Sequence, residues 1–150
     1  MRRARCVPRT RLLPGLALTC ELLLGGCTQS AEEGILACRR IHGSEALEIE
    51  LLFGRDIGGR AQVSDVQWSQ FLQVEVTSRF PQGLTVLTAS GQWRDAQSGQ
   101  ITQEPSFIVQ IVAPDSVGTL ERLTQIRLAY EHRFEQQSVG LTIVPICSSF

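Results

Sequence analysis

The sequence predicts an α+β domain of the ferredoxin-like type, in which a four-stranded antiparallel sheet carries two helices on one face. Two observations predict this fold class. Four segments have the length and polarity of strands, and two others repeat apolar residues at helical spacing. They follow one another as strand, helix, strand, strand, helix, strand (βαββαβ), which is the split βαβ order. Right-handed crossovers then place the first and third strands centrally and the fourth beside the first.

The first strand is predicted at residues 46–53, in the segment ALEIELLF. One face of this segment carries Glu48 and Glu50, whereas the other is apolar, as is typical of a half-buried strand. The apolar face consists of Leu47, Ile49, Leu51 and Phe53. The next segment, GRDIGG at residues 54–59, ends the alternation and is predicted to be a loop.

The first helix is predicted to begin after Ser64. Ser64 and Gln67 have the spacing of a capping box, in which each side chain binds the backbone N–H of the other residue. Pro81 and Gly83 end the helix. Apolar residues near helical spacing predict its buried stripe, which consists of Trp68, Phe71, Leu72, Val76 and Phe80.

Two strands are predicted between the helices. The second strand covers residues 84–89, and its continuation through Gln92 and Trp93 is left open, with a turn at DAQSG afterwards. The third strand covers residues 107–112. It is apolar on both faces except at Gln110, so it is predicted to lie inside the sheet.

The second helix is predicted at residues 117–136, introduced by the segment PDS. The fourth strand is predicted at residues 139–144, in VGLTIV. The residues of the second helix expected to face the core are Leu120, Leu123, Ile126, Tyr130 and Phe134.

The first 26 residues have the layout of an export signal. They contain five arginines, followed by an apolar stretch that is too short to span a bilayer comfortably. The segment LGGC that ends at Cys27 resembles the lipobox of bacterial lipoproteins. That resemblance implies a diacylglycerol on the Cys27 thiol and cleavage before it, whereas an ordinary signal peptide with a chance cysteine is the alternative. We therefore predict a signal peptide at 1–26, a lipidated cysteine and tether at 27–45, and an α+β domain at 46–150.

The remaining cysteines predict one disulfide. Cleavage before Cys27 leaves Cys38 and Cys147, and export places them where disulfides form. The predicted fold brings the start of the first strand near the end of the fourth, and so brings these two cysteines together. Two unrelated buried thiols are the alternative.

Composition and motifs exclude several functions. The chain has a formal net charge of −1, and its five N-terminal arginines leave the domain acidic, so we expect no nucleic-acid partner. His42 and His132 are isolated, and no metal or nucleotide motif occurs, so we expect neither a metal nor a cofactor.

Two sets of residues are candidates for a binding site. A pocket built from arginines, a glutamine and a tryptophan would suit a small anion, because guanidinium groups bind carboxylates and phosphates in a bidentate manner. Its candidates are Arg55, Arg79, Gln92, Trp93 and Arg94. The alternative is structural. In it Trp93 caps the core, Arg94 is a polar residue at the end of the strand, and Arg79 binds helix-terminal carbonyls. The second set is Glu48 and Glu50, carboxylates on the open face of the sheet.

Several motifs together resemble a family of small exported bacterial proteins catalogued as a domain of unknown function. They are ELLFG (50–54), SDVQWSQFL (64–72), SRFPQGLTVL (78–87), GQWRD (91–95), RLAYEHRF (127–134) and the closing CSSF. The resemblance covers about residues 47–150. It implies a small α+β domain and no particular activity.

We therefore expect an envelope lipoprotein that faces the periplasm. The outer membrane is favoured over the inner membrane, because Thr28 rather than an aspartate follows Cys27. Its domain would be a non-catalytic module that binds a small molecule or a protein. The alternative is a small dimeric enzyme of the α/β-barrel type, which acts on a small organic molecule and pairs as a homodimer through the open sheet face.

Overall fold

The protein is represented by a computed structural model, which describes residues 36–94 and 99–150. The predicted signal peptide, Cys27 and most of the turn at DAQSG lie outside these ranges. Residues 36–40 are helical. The strands are β1 (Ser44–Gly54), β2 (Asp56–Ile57), β3 (Ala61–Gln62), β4 (Thr85–Arg94), β5 (Ile101–Ala113) and β6 (Gly140–Ser148). The helices are α1 (Asp65–Phe71), which continues as a π-helix at Leu72–Thr77, and α2 (Val117–Phe134).

The main sheet confirms the predicted topology. Its strand order is β4-β5-β1-β6, and every neighbouring pair is antiparallel. β1 therefore lies between β5 and β6, with Ile49 opposite both Ile111 and Ile143. The short strands β2 and β3 form a separate hairpin in the segment predicted to be a loop. The fold is the predicted ferredoxin-like α+β arrangement.

The core lies between one face of this sheet and the two helices. Phe53 is at its centre, and its ring makes edge contacts with Trp68 at 5.1 Å and Tyr130 at 4.7 Å between centroids. Such edge-to-face contacts are the favoured geometry of aromatic pairs. The strands contribute alternate residues to the core, namely Leu47, Ile49, Leu51, Phe53, Phe107, Val109, Ile111 and Ala113.

The first helix begins as predicted but changes its pitch. The Ser64 side chain accepts from the Gln67 N–H, and the Gln67 side chain accepts from the Ser64 N–H, so the capping box is confirmed. After Phe71 the chain forms a π-helix instead of continuing as an α-helix. Residues five apart share a face in this wider helix. Phe71 and Val76 are therefore both fully buried.

The strands are longer than the apolar pattern predicted. β5 begins at Ile101 rather than at residue 107, because β4 continues to pair with it as far as Arg94. β6 reaches Ser148 although Pro145 interrupts its donors, which an edge strand tolerates. Pairing uses backbone groups, so it continues where the side chains are polar.

The prediction for the second helix was wrong in two details. Leu120, expected in the core, is 44% exposed, and Thr119 is buried in its place. The Thr119 hydroxyl donates to the Pro114 carbonyl at 2.8 Å, so its burial leaves no unpaired hydroxyl. The helix ends at Phe134 rather than at residue 136, because Glu135 adopts the left-handed conformation with φ of 52°.

The predicted disulfide is present, and it includes residue 38, which lies before the predicted start of the domain at residue 46. Cys38 and Cys147 are bonded, with their Cα atoms 5.6 Å apart. Gly43 lies against this bridge, where a Cβ would stand 2.6 Å from the Cys147 sulfur. The folded unit therefore begins by Leu36, and the tether predicted to extend to residue 45 ends earlier.

Candidate functional site

Neither helix covers the second face of the sheet, which we call the open face. The register places Glu48, Glu50 and Leu52 of β1 on this face, because their neighbours along the strand point into the core. Glu48 and Leu52 are exposed, and Glu50 is half-buried. The two candidate carboxylates thus lie on the side of the sheet that neither α1 nor α2 covers.

An apolar row crosses the open face on three strands. Leu87 of β4 is opposite Ile108 of β5, which is opposite Leu52 of β1. Leu87 is 42% exposed and Leu52 is 39% exposed. Gly140 of β6 completes the row, and a Cβ there would lie 2.8 Å from the Leu52 side chain. The row therefore presents contiguous branched side chains to solvent.

A polar row lies next to the apolar row on the same face, two residues away along each strand. The Gln110 amide donates to the Glu50 carboxylate at 2.8 Å, and the Thr142 hydroxyl donates to its other oxygen at 3.5 Å. Thr85 is opposite Gln110 at the edge of the sheet. The Glu50 carboxylate is therefore hydrogen-bonded by side chains of both neighbouring strands and does not project freely into solvent.

A trough with a volume of about 570 Å³ lies beyond this row, at the end of the sheet where β1 begins and β5 ends. Its volume is within the range of small-molecule sites. Residues 82–85 and the segment around Ser148 contribute to its lining on either side of β1 and β5. The lining consists of Ser44, Glu45, Ala46, Glu48, Gln82, Gly83, Leu84, Thr85, Gln110, Ile111, Val112, Ala113, Pro114, Ser148 and Phe150.

The charges of the trough are of one sign. Among the lining residues that the structure describes, Glu45 and Glu48 carry charge, and neither arginine nor histidine occurs. Hydroxyl and amide groups of Ser44, Thr85 and Gln110 add both donors and acceptors. The trough therefore combines an apolar floor with a negative potential, which disfavours an anionic ligand.

The structure does not assemble the predicted anion pocket. Arg55 donates to the Val63 carbonyl at 2.6 Å and pairs with Asp65 at 2.8 Å. Its guanidinium also lies 4.9 Å from the centroid of the Phe107 ring. These contacts hold the β2–β3 hairpin against the start of α1, so the donors of Arg55 are used within the fold.

Arg79 lies at the other end of the sheet, and its role matches the structural alternative. Its Nη1 donates to the Glu75 backbone carbonyl at 2.8 Å and to the Glu75 carboxylate at 2.7 Å. Arg94 is separated from it by the whole of β4, whose ten residues span about 30 Å. A pocket that contains both arginines therefore does not form.

The far end of β4 carries the other three candidates. Gln92 accepts from the Gln103 amide at 2.7 Å, and Arg94 donates to the Gly99 carbonyl at 3.1 Å. Trp93 lies on the open face and is 44% exposed, so it does not cap the core. These side chains support the edge of the sheet.

Polar contacts that the sequence did not indicate join β1 to α2 and β2 to β5. The Tyr130 hydroxyl donates to the Gly54 carbonyl at 2.7 Å, and the Asp56 N–H donates to the Glu104 carboxylate at 2.8 Å. Burial raises the pKa of Tyr130 above its ordinary value, Arg55 opposes this rise and Glu104 adds to it. The partners are far apart in sequence, so no local pattern could have revealed them.

Within residues 36–94 and 99–150, no three His, Cys, Asp or Glu side chains are grouped so that they could hold a metal ion. None of the helices in these ranges is long and apolar enough to cross a lipid bilayer.

The fold and the open face define a small ferredoxin-like α+β domain with a trough at one end of its sheet. The chain belongs to the family described as "Protein of unknown function (DUF3574)", which it matches over residues 48–150. This confirms the resemblance to a domain of unknown function. No curated protein matches the sequence.

Two structures of a phage SAM lyase show the same fold at low identity. A phage SAM lyase in complex with S-methyl-5'-thioadenosine is similar with a TM-score of 0.55 and 14% identity, over 69% of this chain and 85% of the lyase. The lyase in its apo state has a TM-score of 0.52 and 14% identity, over 70% of this chain and 86% of the lyase. CutA from Synechococcus elongatus has a TM-score of 0.47 and 15% identity, over 71% of this chain and 87% of CutA. The likeness to the lyase shows the fold alone.

Proposed function

We propose that this protein is an exported lipoprotein of the bacterial cell envelope, cut before Cys27 and anchored there. Its domain is a non-catalytic binding module that faces the periplasm, and the outer membrane is the favoured site because Thr28 follows the cysteine. The observation that carries the binding role is the trough of about 570 Å³ at the end of the open face. Concave sites with an apolar floor and a few polar groups are the usual form of small-molecule sites.

The chemistry of the trough selects a neutral or cationic organic ligand. Val112 and Leu84 supply apolar surface, and Glu45 and Glu48 supply negative charge. An ammonium group near Glu48 would form a charge-assisted hydrogen bond while an apolar body covers the floor. A carboxylate or phosphate would meet repulsion instead.

The test is a binding titration on the mature chain, purified from the envelope and followed by NMR. Hexylamine, hexanoate and S-methyl-5'-thioadenosine serve as cationic, anionic and neutral probes. We expect shifts at Glu48 and Val112 with the amine or the nucleoside, and none with hexanoate. Saturable binding of hexanoate at these residues, or binding of none of the probes, would overturn this ligand class.

Matched variants separate the trough from the general acidity of the chain. Glu48→Gln should weaken amine binding about three- to fivefold, the scale of one exposed charge pair. Glu121→Gln removes an exposed carboxylate from α2 and should leave the affinity unchanged. Equal losses in both variants would indicate a non-specific charge effect. The mass of the same preparation shows independently whether Cys27 carries acyl chains.

A second candidate is supported by the apolar row of Leu52, Leu87 and Ile108. Two copies packed face to face would bury this row and close the trough, as a small dimeric enzyme of the α/β-barrel type requires. Native mass spectrometry should then show a dimer, and Leu87→Glu should dissociate it. A monomer at micromolar concentration would exclude this arrangement.

A further inference from the structure

The end of the domain at which the described chain begins carries a patch of exposed apolar and cationic side chains. Leu36 is 53% exposed and Ile41 is 54% exposed, and Phe150 is fully exposed. Arg39 and Arg40 are exposed between them. We call these five residues the anchor-side patch. Neither arginine takes part in an ion pair within the described part of the chain.

The fold holds this patch in place. Cys38 is bonded to Cys147, so the helical turn that carries Arg39 and Arg40 is fixed to the end of β6. The Ser149 hydroxyl donates to the Ile41 carbonyl at 3.0 Å and brings the segment of Phe150 beside Ile41. Leu36 and Arg40 are four residues apart and therefore share one side of the helical turn.

The short sequence distance between Cys27 and the anchor-side patch indicates that the patch lies near the membrane. Eight residues separate Cys27 from Leu36. Even fully extended, that connection reaches about 30 Å. A lipid on Cys27 would therefore keep the anchor-side patch within about 30 Å of the bilayer. The connection sets no such limit on the far end of the sheet, where Ile101 and Arg94 lie.

We infer that the anchor-side patch rests on an anionic phospholipid surface, an inference that depends on the proposed anchor at Cys27. Leu36, Ile41 and Phe150 would enter the headgroup region, and the two guanidinium groups would bind lipid phosphates in a bidentate manner. Glu32 and Glu33 in the connecting segment, and Glu45 in the trough that Phe150 lines, oppose the attraction. The contact therefore needs the apolar side chains as well as Arg39 and Arg40. The domain rests on its disulfide-bonded end, beside the trough that Phe150 helps to line.

The experiment uses the mature lipidated chain in nanodiscs that contain a headgroup spin-labelled lipid, with isotope-labelled isoleucine methyl groups. Ile41 and Ile101 are matched reporters, because they are 54% and 65% exposed at opposite ends of the sheet. We expect the relaxation enhancement at Ile41 to exceed that at Ile101 several-fold in discs containing phosphatidylglycerol. Arg39→Gln with Arg40→Gln should reduce the Ile41 enhancement several-fold. Arg60→Gln with Arg94→Gln, at the far end, should not change it.

Equal enhancement at Ile41 and Ile101, or an Ile41 enhancement that is the same in purely zwitterionic discs, would overturn the inference. Failure of the anchor is distinguished by mass, since an unlipidated chain lacks the acyl increment. That chain is then mixed with phosphatidylglycerol vesicles carrying the same spin label. Enhancement confined to Ile41 there supports the patch without the anchor, and its absence overturns the patch.

Discussion

The hydroxyl of Tyr130 donates a hydrogen bond of 2.7 Å to the carbonyl of Gly54, across 76 residues of sequence. Tyr130 lies on α2 and Gly54 ends β1, so the bond joins the second helix to the strand at the centre of the sheet. The same ring contacts Phe53 and Phe71. One side chain thus combines core packing with a buried polar contact.

Tyr130→Phe keeps the ring and removes this hydrogen bond. The Gly54 carbonyl then loses its side-chain donor, and we expect the free energy of unfolding to fall by about 1–2 kcal/mol. Urea denaturation followed by circular dichroism measures the change. A variant as stable as the parent would show that the bond makes no net contribution.

The same side chain predicts sensitivity to alkaline pH. Because burial raises the pKa of Tyr130, the folded state holds the phenolic proton more tightly than the unfolded state does. This contribution to stability is complete below the unfolded pKa, near 10, and is lost as the pH rises above it. Tyr130 is the only tyrosine in the chain, so tyrosinate absorbance reports it alone. Tyr130→Phe should have a flatter stability profile above pH 10, and identical profiles would contradict the assignment.

The Cys38–Cys147 disulfide should contribute strongly to stability. It joins residues 109 apart, and the loop-entropy model gives about 4.7 kcal/mol for a loop of this size, with 2–5 kcal/mol typical when native disulfides are removed. Cys38→Ser with Cys147→Ser should lower the guanidinium midpoint accordingly. The parent protein measured with reductant provides the control. Agreement between these two samples would assign the loss to the bond.

The two tryptophans should differ in fluorescence. Trp68 is 5% exposed and stacks on Phe107, whereas Trp93 is 44% exposed. Trp93→Phe should therefore leave a blue-shifted emission that acrylamide quenches weakly. Trp68→Phe should leave a red-shifted emission that acrylamide quenches readily. The reverse order would contradict the orientation of β4.

Gly54 should be sensitive to substitution because of Glu104. A Cβ at Gly54 would lie 2.5 Å from the Glu104 carboxylate, which the Asp56 N–H holds in place. Gly54→Ala should destabilise the fold by about 1 kcal/mol, because the Glu104 side chain must shift and lose its hydrogen bond from Asp56, although alanine is otherwise better than glycine in a strand. In a Glu104→Ala background the same substitution should have a much smaller effect. A double-mutant cycle measures this coupling, and additive losses would exclude the contact.

Local signals in the sequence were enough for the strand order. The alternation from Leu47 to Phe53 identified the buried face of β1, and the capping box of Ser64 and Gln67 identified the start of α1. Both signals depend on residues that are close together in the chain. At that range the spacing of apolar residues indicates which face of a strand or helix is buried. Handedness rules then left one arrangement of the four strands. The pairing of Cys38 with Cys147 was predicted separately, from the cysteines that remain after the expected cleavage, and it agrees with that arrangement.

The side-chain partners could not be read in this way. Arg55 and Arg79 were grouped by residue type, yet each binds carbonyls and carboxylates of its own neighbourhood. The change of pitch after Phe71 was also missed, because the apolar residues fit an α-helical stripe approximately. The sequence by itself determined the fold class and the strand order, since these follow from local periodicity and chain topology, and the cysteines left after the expected cleavage predicted the disulfide. Only the tertiary structure decided the strand lengths, the row around Glu50 and the trough, because these depend on the register between segments that are distant in the chain.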